Sequence, residues 1–132
     1  MPESRVVVAA GSLRSQAQSA VEFPHRWTTG GVTVEADFTG ADLLHVAAAG
    51  CVLNDVYREA ERLGVAVRGV RVTASGGFDT DTWTSTGITY AVEVDTDSAA
   101  DEVETLLEVV DAVAEIPRAI RAGASVVRAP VA

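Results

Sequence analysis

The sequence contains no lysine, a single cysteine and few aromatic residues. Its ten basic residues are all arginine, and nineteen acidic residues bring the net charge to −9. A chain this acidic repels phosphate backbones, so we expect no nucleic-acid partner. One cysteine excludes an intrachain disulfide and any two-cysteine metal or redox motif. The two histidines, His25 and His45, show no spacing typical of metal ligands, so we expect no metal site.

Long apolar segments are also missing. The longest uncharged apolar run, Leu43–Leu53, is far shorter than the roughly 20 residues that span a bilayer, so it predicts a buried helix and no membrane partner. The start of the chain, Met1–Arg5, lacks the features of a signal peptide. Together with the lone cysteine, this favours a reducing, cytoplasmic location. The sequence has no phosphate-binding loop and no dinucleotide-binding motif, so we expect no cofactor.

The length and composition predict one domain over residues 1–132. Hydrophobic residues make up 48% of the 132 positions, enough for a core. We divide the chain into an N-terminal β region over residues 1–38 and a helix–strand core over 39–132. β-Branched and alternating segments predict strands over 5–10, 16–23, 32–36, 65–75, 88–94 and 125–131. The fold class is therefore α+β, with a largely antiparallel sheet and the order βββ–α–ββ–α–β.

Capping signals mark two helices. Thr39 to Asp42 has the spacing of a capping box, and Gly64 is a typical helix stop, so a first helix is predicted from Thr39 to Leu63. A second sequence with capping-box spacing, Ser98 to Asp101, predicts the start of another helix, in which apolar residues recur at every third or fourth position. Pro117 interrupts that second helix, and a short turn follows it.

Cys51 lies on the first helix. On the helix face that carries it, the side chains are apolar before Cys51 and charged after it. A single cysteine in an alanine-rich helix often fills space in a core. On this face, however, the thiol could also be reached from a cleft. Asp55, one turn further on, would raise its pKa, and a mid-helix position gives no help from the dipole of its own helix. An activating arginine would have to come from another element, with Arg14 and Arg26 as candidates.

The segment from Thr39 to Cys51, TGADLLHVAAAGC, resembles a signature of the OsmC/Ohr superfamily, the osmotically inducible and organic hydroperoxide resistance proteins. The resemblance continues through 57–65, 69–72 and 116–121, and it covers about two-thirds of the chain. It implies an intertwined homodimer with two central helices and active sites at the dimer interface, and we expect the N-terminal β region over 1–38 to contribute to that dimer. It also implies thiol-dependent reduction of organic or hydrogen peroxides.

The resemblance assigns the site residue by residue, with clear departures. Cys51 matches the family cysteine that attacks the peroxide, whereas Ile116 stands where the second cysteine of a Cys-Pro motif is expected. Ala41 replaces an assisting glutamate of many members, and Asp42 matches the acidic residue of another subgroup. Arg14 follows a glycine-containing turn as the family arginine does, so we prefer it to Arg26. The predicted catalytic set is Cys51, Arg14 and Asp42.

Three functions remain open. The first is a one-cysteine peroxidase in which Cys51 reduces organic or hydrogen peroxides and an external thiol restores it. The second is a non-catalytic dimer that binds a small hydrophobic ligand at its interface, since Ile116 replaces the second thiol. The third is a structural or partner-binding dimer. The loss of the second cysteine weighs against the first, and the match at Cys51 weighs for it.

Overall fold

A computed structural model describes residues 3–131. It confirms an α+β fold, with one antiparallel sheet in the order β2-β3-β1-β4-β5 and three helices. The expectation for the chain start falls partly on Met1 and Pro2, which lie outside the described residues. The strands are β1 Ser4–Gly11, β2 Val21–Phe23, β3 Val32–Glu35, β4 Gly69–Phe78 and β5 Ser85–Asp95. The helices are α1 Gly40–Leu63, α2 Ala100–Val113 and α3 Glu115–Ala122.

The core lies between one face of the sheet and α1. Alternate residues of β1 and β4 point toward the helix, because successive side chains of a strand lie on opposite faces. Val8 pairs with Val72 in this register, and both are buried. Leu53 of α1 packs against this layer and is fully buried. The opposite face of the sheet carries Val7 and Thr73, which pair with each other.

Helix α1 begins and ends as the sequence predicts. Thr39 is the N-cap, and its side chain accepts a hydrogen bond from the Asp42 N–H over 3.1 Å. Gly64 ends the helix with φ of 74°, a left-handed conformation that side chains disfavour. The helix therefore runs unbroken past Gly50 and carries Cys51 at its middle.

The last part of the chain differs from the prediction. Helix α2 ends at Val113, and Pro117 lies in the first turn of a separate helix, α3, where the sequence suggested only a turn. A proline fits there because it lacks an N–H that the first turn would leave unbonded. The strand predicted over 125–131 is wrong, since these residues form no strand and pair with no other in the described chain. The observed order is thus βββ–α–ββ–α–α.

Two smaller differences concern the edges of elements. The strand predicted over 16–23 shortens to β2, Val21–Phe23, at the edge of the sheet. Helix α2 has Ala99 as its N-cap, and the Ala99 N–H donates to the Glu102 side chain, so the predicted box is displaced by one residue. Among the described helices, none is long and apolar enough to cross a membrane.

Candidate functional site

The thiol of Cys51 lies between two helices. Its side chain is partly buried, and it leaves α1 toward the start of α3. The N–H of Ile116 donates a hydrogen bond to the Cys51 Sγ over 3.5 Å. Ile116 belongs to the first turn of α3, whose N–H groups have no partners within the helix. The thiol therefore sits at a helix N-terminus, although not that of its own helix.

Opposing effects act on the ionisation of this thiol. Burial raises the pKa of Cys51, and the nearby carboxylates of Asp55 and Glu115 raise it further. The backbone N–H groups of Ile116 and Glu115 act in the opposite direction, because they stabilise the thiolate. The net effect is a raised pKa, so most of the thiol is protonated at neutral pH.

Asp55 is the buried carboxylate of this site. It lies one turn after Cys51 and is paired with Arg58 over 3.2 Å. Burial raises the pKa of Asp55 as well, whereas Arg58 lowers it. Arg58 therefore affects the thiol indirectly. It partly neutralises the charge of Asp55 and makes no contact with the sulfur.

An apolar cleft of about 310 Å³ opens between α1, β5 and α3, and we call it the α1–α3 cleft. Cys51 does not line it, but neighbours of the thiol on both helices do. Its apolar walls come from α1, β5 and α3, namely Ala48, Gly87, Ile88, Tyr90, Pro117 and Ile120. Ala48 lies one turn before Cys51, and Pro117 follows Ile116. Arg121 adds a charged edge, where it donates to Asp111 over 3.1 Å, and the Tyr90 hydroxyl donates to the same carboxylate. The cleft thus offers apolar contact to a small molecule about one helical turn from Cys51.

The two candidate arginines lie apart from Cys51 within one chain. Arg14 donates to the Gly30 carbonyl and lines a groove with Val7 and Thr73, on the face of the sheet opposite α1. Arg26 lies on the α1 side, stacked over Trp27 at 5.6 Å. Arg14 therefore cannot meet the thiol of its own chain, because the sheet separates them.

Asp42 also lies away from Cys51, about 13 Å along the axis of α1 at 1.5 Å per residue. It accepts hydrogen bonds from the Ser4 hydroxyl and, over 2.8 Å, from the Asp37 N–H. These bonds lower the pKa of Asp42. Through the bond to Ser4, Asp42 connects the start of α1 to β1. Its role in this chain is therefore structural, and it makes no contact with the sulfur.

The two histidines have different surroundings. His25 contacts Trp27 and Tyr57, and its Nε2 lies 2.9 Å from the Asn54 side-chain oxygen. His45 is fully buried. It is not fully satisfied, however, because Nε2 has no hydrogen-bond partner among the described residues.

Sequence reasoning missed the contribution of α3. The Ile116 N–H and the carboxylate of Glu115 both act on Cys51, yet they lie 65 and 64 positions further along the chain, respectively. The only available signal was the resemblance, which aligned Ile116 with a family cysteine. Within residues 3–131, no cluster of three or more histidine, cysteine or acidic side chains is arranged to hold a metal ion.

The comparisons with known proteins agree on one family. The model of the OsmC-like protein family matches residues 31–127. An OsmC-like protein from Mycoplasma pneumoniae has a similar structure, with a TM-score of 0.58 at 10% identity over 81% of this chain and 89% of that one. An OsmC-like hydroperoxide resistance protein from Jannaschia sp. CCS1 gives a TM-score of 0.52 at 13% identity, over 98% and 93%. No curated protein matches the sequence. Because the family model covers most of its length, this chain belongs to the OsmC-like family.

Proposed function

We propose that this protein is a one-cysteine hydroperoxide reductase in which Cys51 attacks the peroxide. The observation that carries the proposal is the position of the thiol, which is partly exposed, accepts a hydrogen bond from the Ile116 N–H, and lies one helical turn from Ala48 in the wall of the α1–α3 cleft. Donors of this kind stabilise the thiolate, which is the nucleophilic form. Membership of the OsmC-like family supports the proposal, as does the name of the structurally similar hydroperoxide resistance protein.

The chemical step is a displacement at oxygen. The Cys51 thiolate attacks the terminal oxygen of a hydroperoxide, ROOH, and the O–O bond breaks. The sulfur is oxidised to a sulfenic acid, and the departing alkoxide takes up a proton to become ROH. The apolar walls of the α1–α3 cleft suit an organic R group, which favours alkyl or aryl hydroperoxides over hydrogen peroxide.

Recycling requires a reductant from outside the chain. Cys51 is the only cysteine, so its sulfenic acid has no thiol of the same chain to react with. One external thiol condenses with it, releasing water and forming a mixed disulfide, and a second thiol displaces Cys51 in its reduced form. Small thiols of a reducing cytoplasm would serve this purpose.

The proposal includes a homodimer that completes the site. Arg14 lies on the opposite face of the sheet from its own Cys51, so it could assist only the thiol of a second copy. Asp42 contacts Ser4 and Asp37 of its own chain, so in this proposal it is a positioning residue. Arg26 is the alternative cation, since it shares a groove with Arg58, the partner of Asp55.

A second candidate function is non-catalytic binding of a small hydrophobic ligand. Two observations favour it: burial and two carboxylates raise the pKa of Cys51, and the adjacent cleft is lined mainly by apolar side chains. A protonated thiol is a weak nucleophile. In this case Cys51 contributes only packing beside the bound molecule.

One experiment separates the two functions. The intact protein is treated with stoichiometric cumene hydroperoxide, and its mass is followed over time. A peroxidase gains one oxygen rapidly, and the Cys51→Ser variant gains none. If the wild-type mass is unchanged after hours at pH 8, peroxidase activity is refuted, and non-catalytic ligand binding is the candidate function that is left.

A further inference from the structure

A groove on the face of the sheet opposite α1 is surrounded by arginines, and we call it the outer-sheet groove. Its volume is about 460 Å³. Positive charge is in excess around it, although the net charge of the chain is −9. The charged residues of its lining are Arg5, Arg14, Arg71 and Glu35. The groove is therefore a local cationic site on an acidic molecule, and such a site attracts small anions.

The register of the sheet explains why these side chains share one groove. Val7 of β1 pairs with Glu35 of β3 and with Thr73 of β4, so the three residues form a row across the sheet. Arg5 lies two residues before Val7, and Arg71 lies two residues before Thr73 on the antiparallel neighbour. Alternate residues share a face and each residue advances a strand by about 3.4 Å, so the two arginines flank the row at about 7 Å on either side. An extended arginine side chain covers that distance, and both guanidinium groups can therefore meet a molecule that lies on the row.

Both arginines have N–H donors to offer to a ligand. Arg5 is exposed, and it forms no ion pair or side-chain hydrogen bond within residues 3–131. Arg71 donates to Glu93 over 2.9 Å and to the Leu13 carbonyl over 3.3 Å, and these two bonds fix its guanidinium beside the groove. A guanidinium carries five N–H donors, so Arg71 keeps donors that neither bond uses.

Glu35 restricts which anions suit the groove. It forms no ion pair with any residue of the described chain, so its carboxylate adds negative charge and acceptor oxygens to one wall. It repels a molecule that is anionic on every side, whereas it accepts a hydrogen bond from a hydroxyl placed next to an anionic group. Guanidinium groups bind phosphate through paired hydrogen bonds, and a phosphate dianion balances two arginines, which a single carboxylate does not.

We propose that the outer-sheet groove binds a small phosphate monoester, with the phosphate held by Arg5 and Arg71 and a hydroxyl of the organic part donating to Glu35. Arg14 adds a third positive charge at the groove, while its guanidinium also donates to the Gly30 carbonyl. This site goes beyond the proposed peroxidase and does not depend on it, because the sheet separates the groove from the thiol of the same chain.

The test compares three probes that share parts of one structure. Glycerol 3-phosphate has the phosphate and the hydroxyls, inorganic phosphate has no hydroxyls of an organic part, and glycerol has no phosphate. Calorimetry at low salt should show binding of the ester, weaker binding of inorganic phosphate and no binding of glycerol. In protein with ¹⁵N-labelled arginine, the ester should shift the Nε resonances of Arg5 and Arg71. The resonance of Arg128, which is exposed near the end of the chain, should stay in place.

Matched charge changes assign the binding to the groove. Arg5→Gln and Arg71→Gln should each weaken binding of the ester roughly three- to tenfold, the effect of losing charged hydrogen bonds on an exposed surface. Arg128→Gln removes the same charge from a distant exposed position and should leave the affinity unchanged. Arg14 is kept in all variants, because the proposed homodimer uses it at the thiol of a second copy.

Three results would overturn the proposal. Equal losses of affinity in all three variants would show attraction to the overall charge alone. Inorganic phosphate that binds as tightly as the ester would show that Glu35 accepts nothing from the organic part. Wild-type protein that binds no ester would show that the groove is not a site, and this includes a groove covered by a second copy. Because Arg5 makes no bond with the described chain, Arg5→Gln is expected to fold and keeps the test decisive even if Arg71→Gln does not.

Discussion

The backbone N–H of Ile116 donates to the sulfur of Cys51, 3.5 Å away, and joins the first turn of α3 to the middle of α1. This contact does two things to the thiol. It stabilises the thiolate against the carboxylates nearby, and it brings the backbone of residue 116 next to the sulfur. The resemblance to the OsmC/Ohr superfamily aligns Ile116 with the second cysteine of that family. A disulfide between positions 51 and 116 would therefore test the alignment.

We therefore expect Ile116→Cys to create a disulfide. The backbone nitrogen of residue 116 is already within reach of the Cys51 sulfur, and a cysteine side chain there has only to adopt a suitable rotamer. Peroxide treatment should give a monomeric chain two mass units lighter than its reduced form and resistant to alkylation. Ile116→Ser is the matched control and should remain alkylated at Cys51. A folded Ile116→Cys protein that retains two free thiols would contradict this prediction.

The reactivity of Cys51 should rise with pH. Burial and the carboxylates of Asp55 and Glu115 raise its pKa, so the thiolate fraction increases most at alkaline pH, above the usual value of about 8.5. Asp55→Asn removes one negative charge beside the sulfur, lowers that pKa, and should speed alkylation by iodoacetamide roughly two- to fivefold at pH 7.5. Glu104→Gln makes the same charge change on the exposed surface of α2 and should have little effect. An unchanged or slower rate in Asp55→Asn would show that this carboxylate does not control the thiol.

The contrast between α1 and the C-terminal segment shows where sequence reasoning succeeds. The bounds of α1 follow from local signals, since Thr39 and Gly64 satisfy its ends without help from distant residues. The segment over 125–131 has the β-branched pattern of a strand, but a strand also needs a neighbour, and one chain supplies none. Val126 is accordingly 94% exposed.

The candidate site shows the same contrast between features set by local sequence and features set by distant residues. The helical periodicity of α1 predicted that Cys51 could be reached from a cleft and that Asp55 would raise its pKa. Asp55 does raise the pKa of Cys51, whereas the walls of the α1–α3 cleft include Ala48 and not Cys51. The contribution of Ile116 depends on how α3 packs against α1, which no local pattern encodes. The position of Arg14 depends on which face of the sheet its loop follows, and that is a tertiary property as well.

Asp42 should contribute to stability at neutral pH and lose that contribution in acid. Its folded-state pKa is lowered by Ser4 and by the Asp37 N–H, so its stabilisation is present above the unfolded pKa, about 3.9, and is lost as pH falls through the folded value. Asp42→Ala should reduce the free energy of unfolding by about 1–2 kcal/mol at pH 7, the size of a lost cap or buried hydrogen bond. Urea denaturation at pH 7 and pH 3 measures this. An equal difference at both pH values would contradict the ionised role of the side chain.

Gly76 and Gly77 are adjacent in β4 and should respond differently to a methyl group. In Gly76→Ala the new Cβ would collide with the Gly87 carbonyl and approach the Nε2 of His45 to 2.9 Å, so we expect a loss of about 1–3 kcal/mol. In Gly77→Ala the nearest atom is the Thr86 hydroxyl at 3.3 Å, which can rotate away. That variant should change the free energy of unfolding by less than about 0.5 kcal/mol. Chemical denaturation of the pair provides the comparison, and equal losses would show that the contact at Gly76 is not the cause.

The protein should form a homodimer through the first half of α1. Leu43 is 42% exposed there and Phe38, just before the helix, is 92% exposed, an apolar surface that a second copy can cover. Leu43→Glu keeps a good helix former and adds a charge to this surface, so it should shift the protein toward a monomer. Leu63→Glu is the control, since Leu63 is 40% exposed at the other end of the same helix. Sedimentation velocity at micromolar concentration measures both. A stable 13.7 kDa monomer for the wild-type chain would contradict the dimer. A dimer that Leu43→Glu leaves intact would show that the interface lies elsewhere.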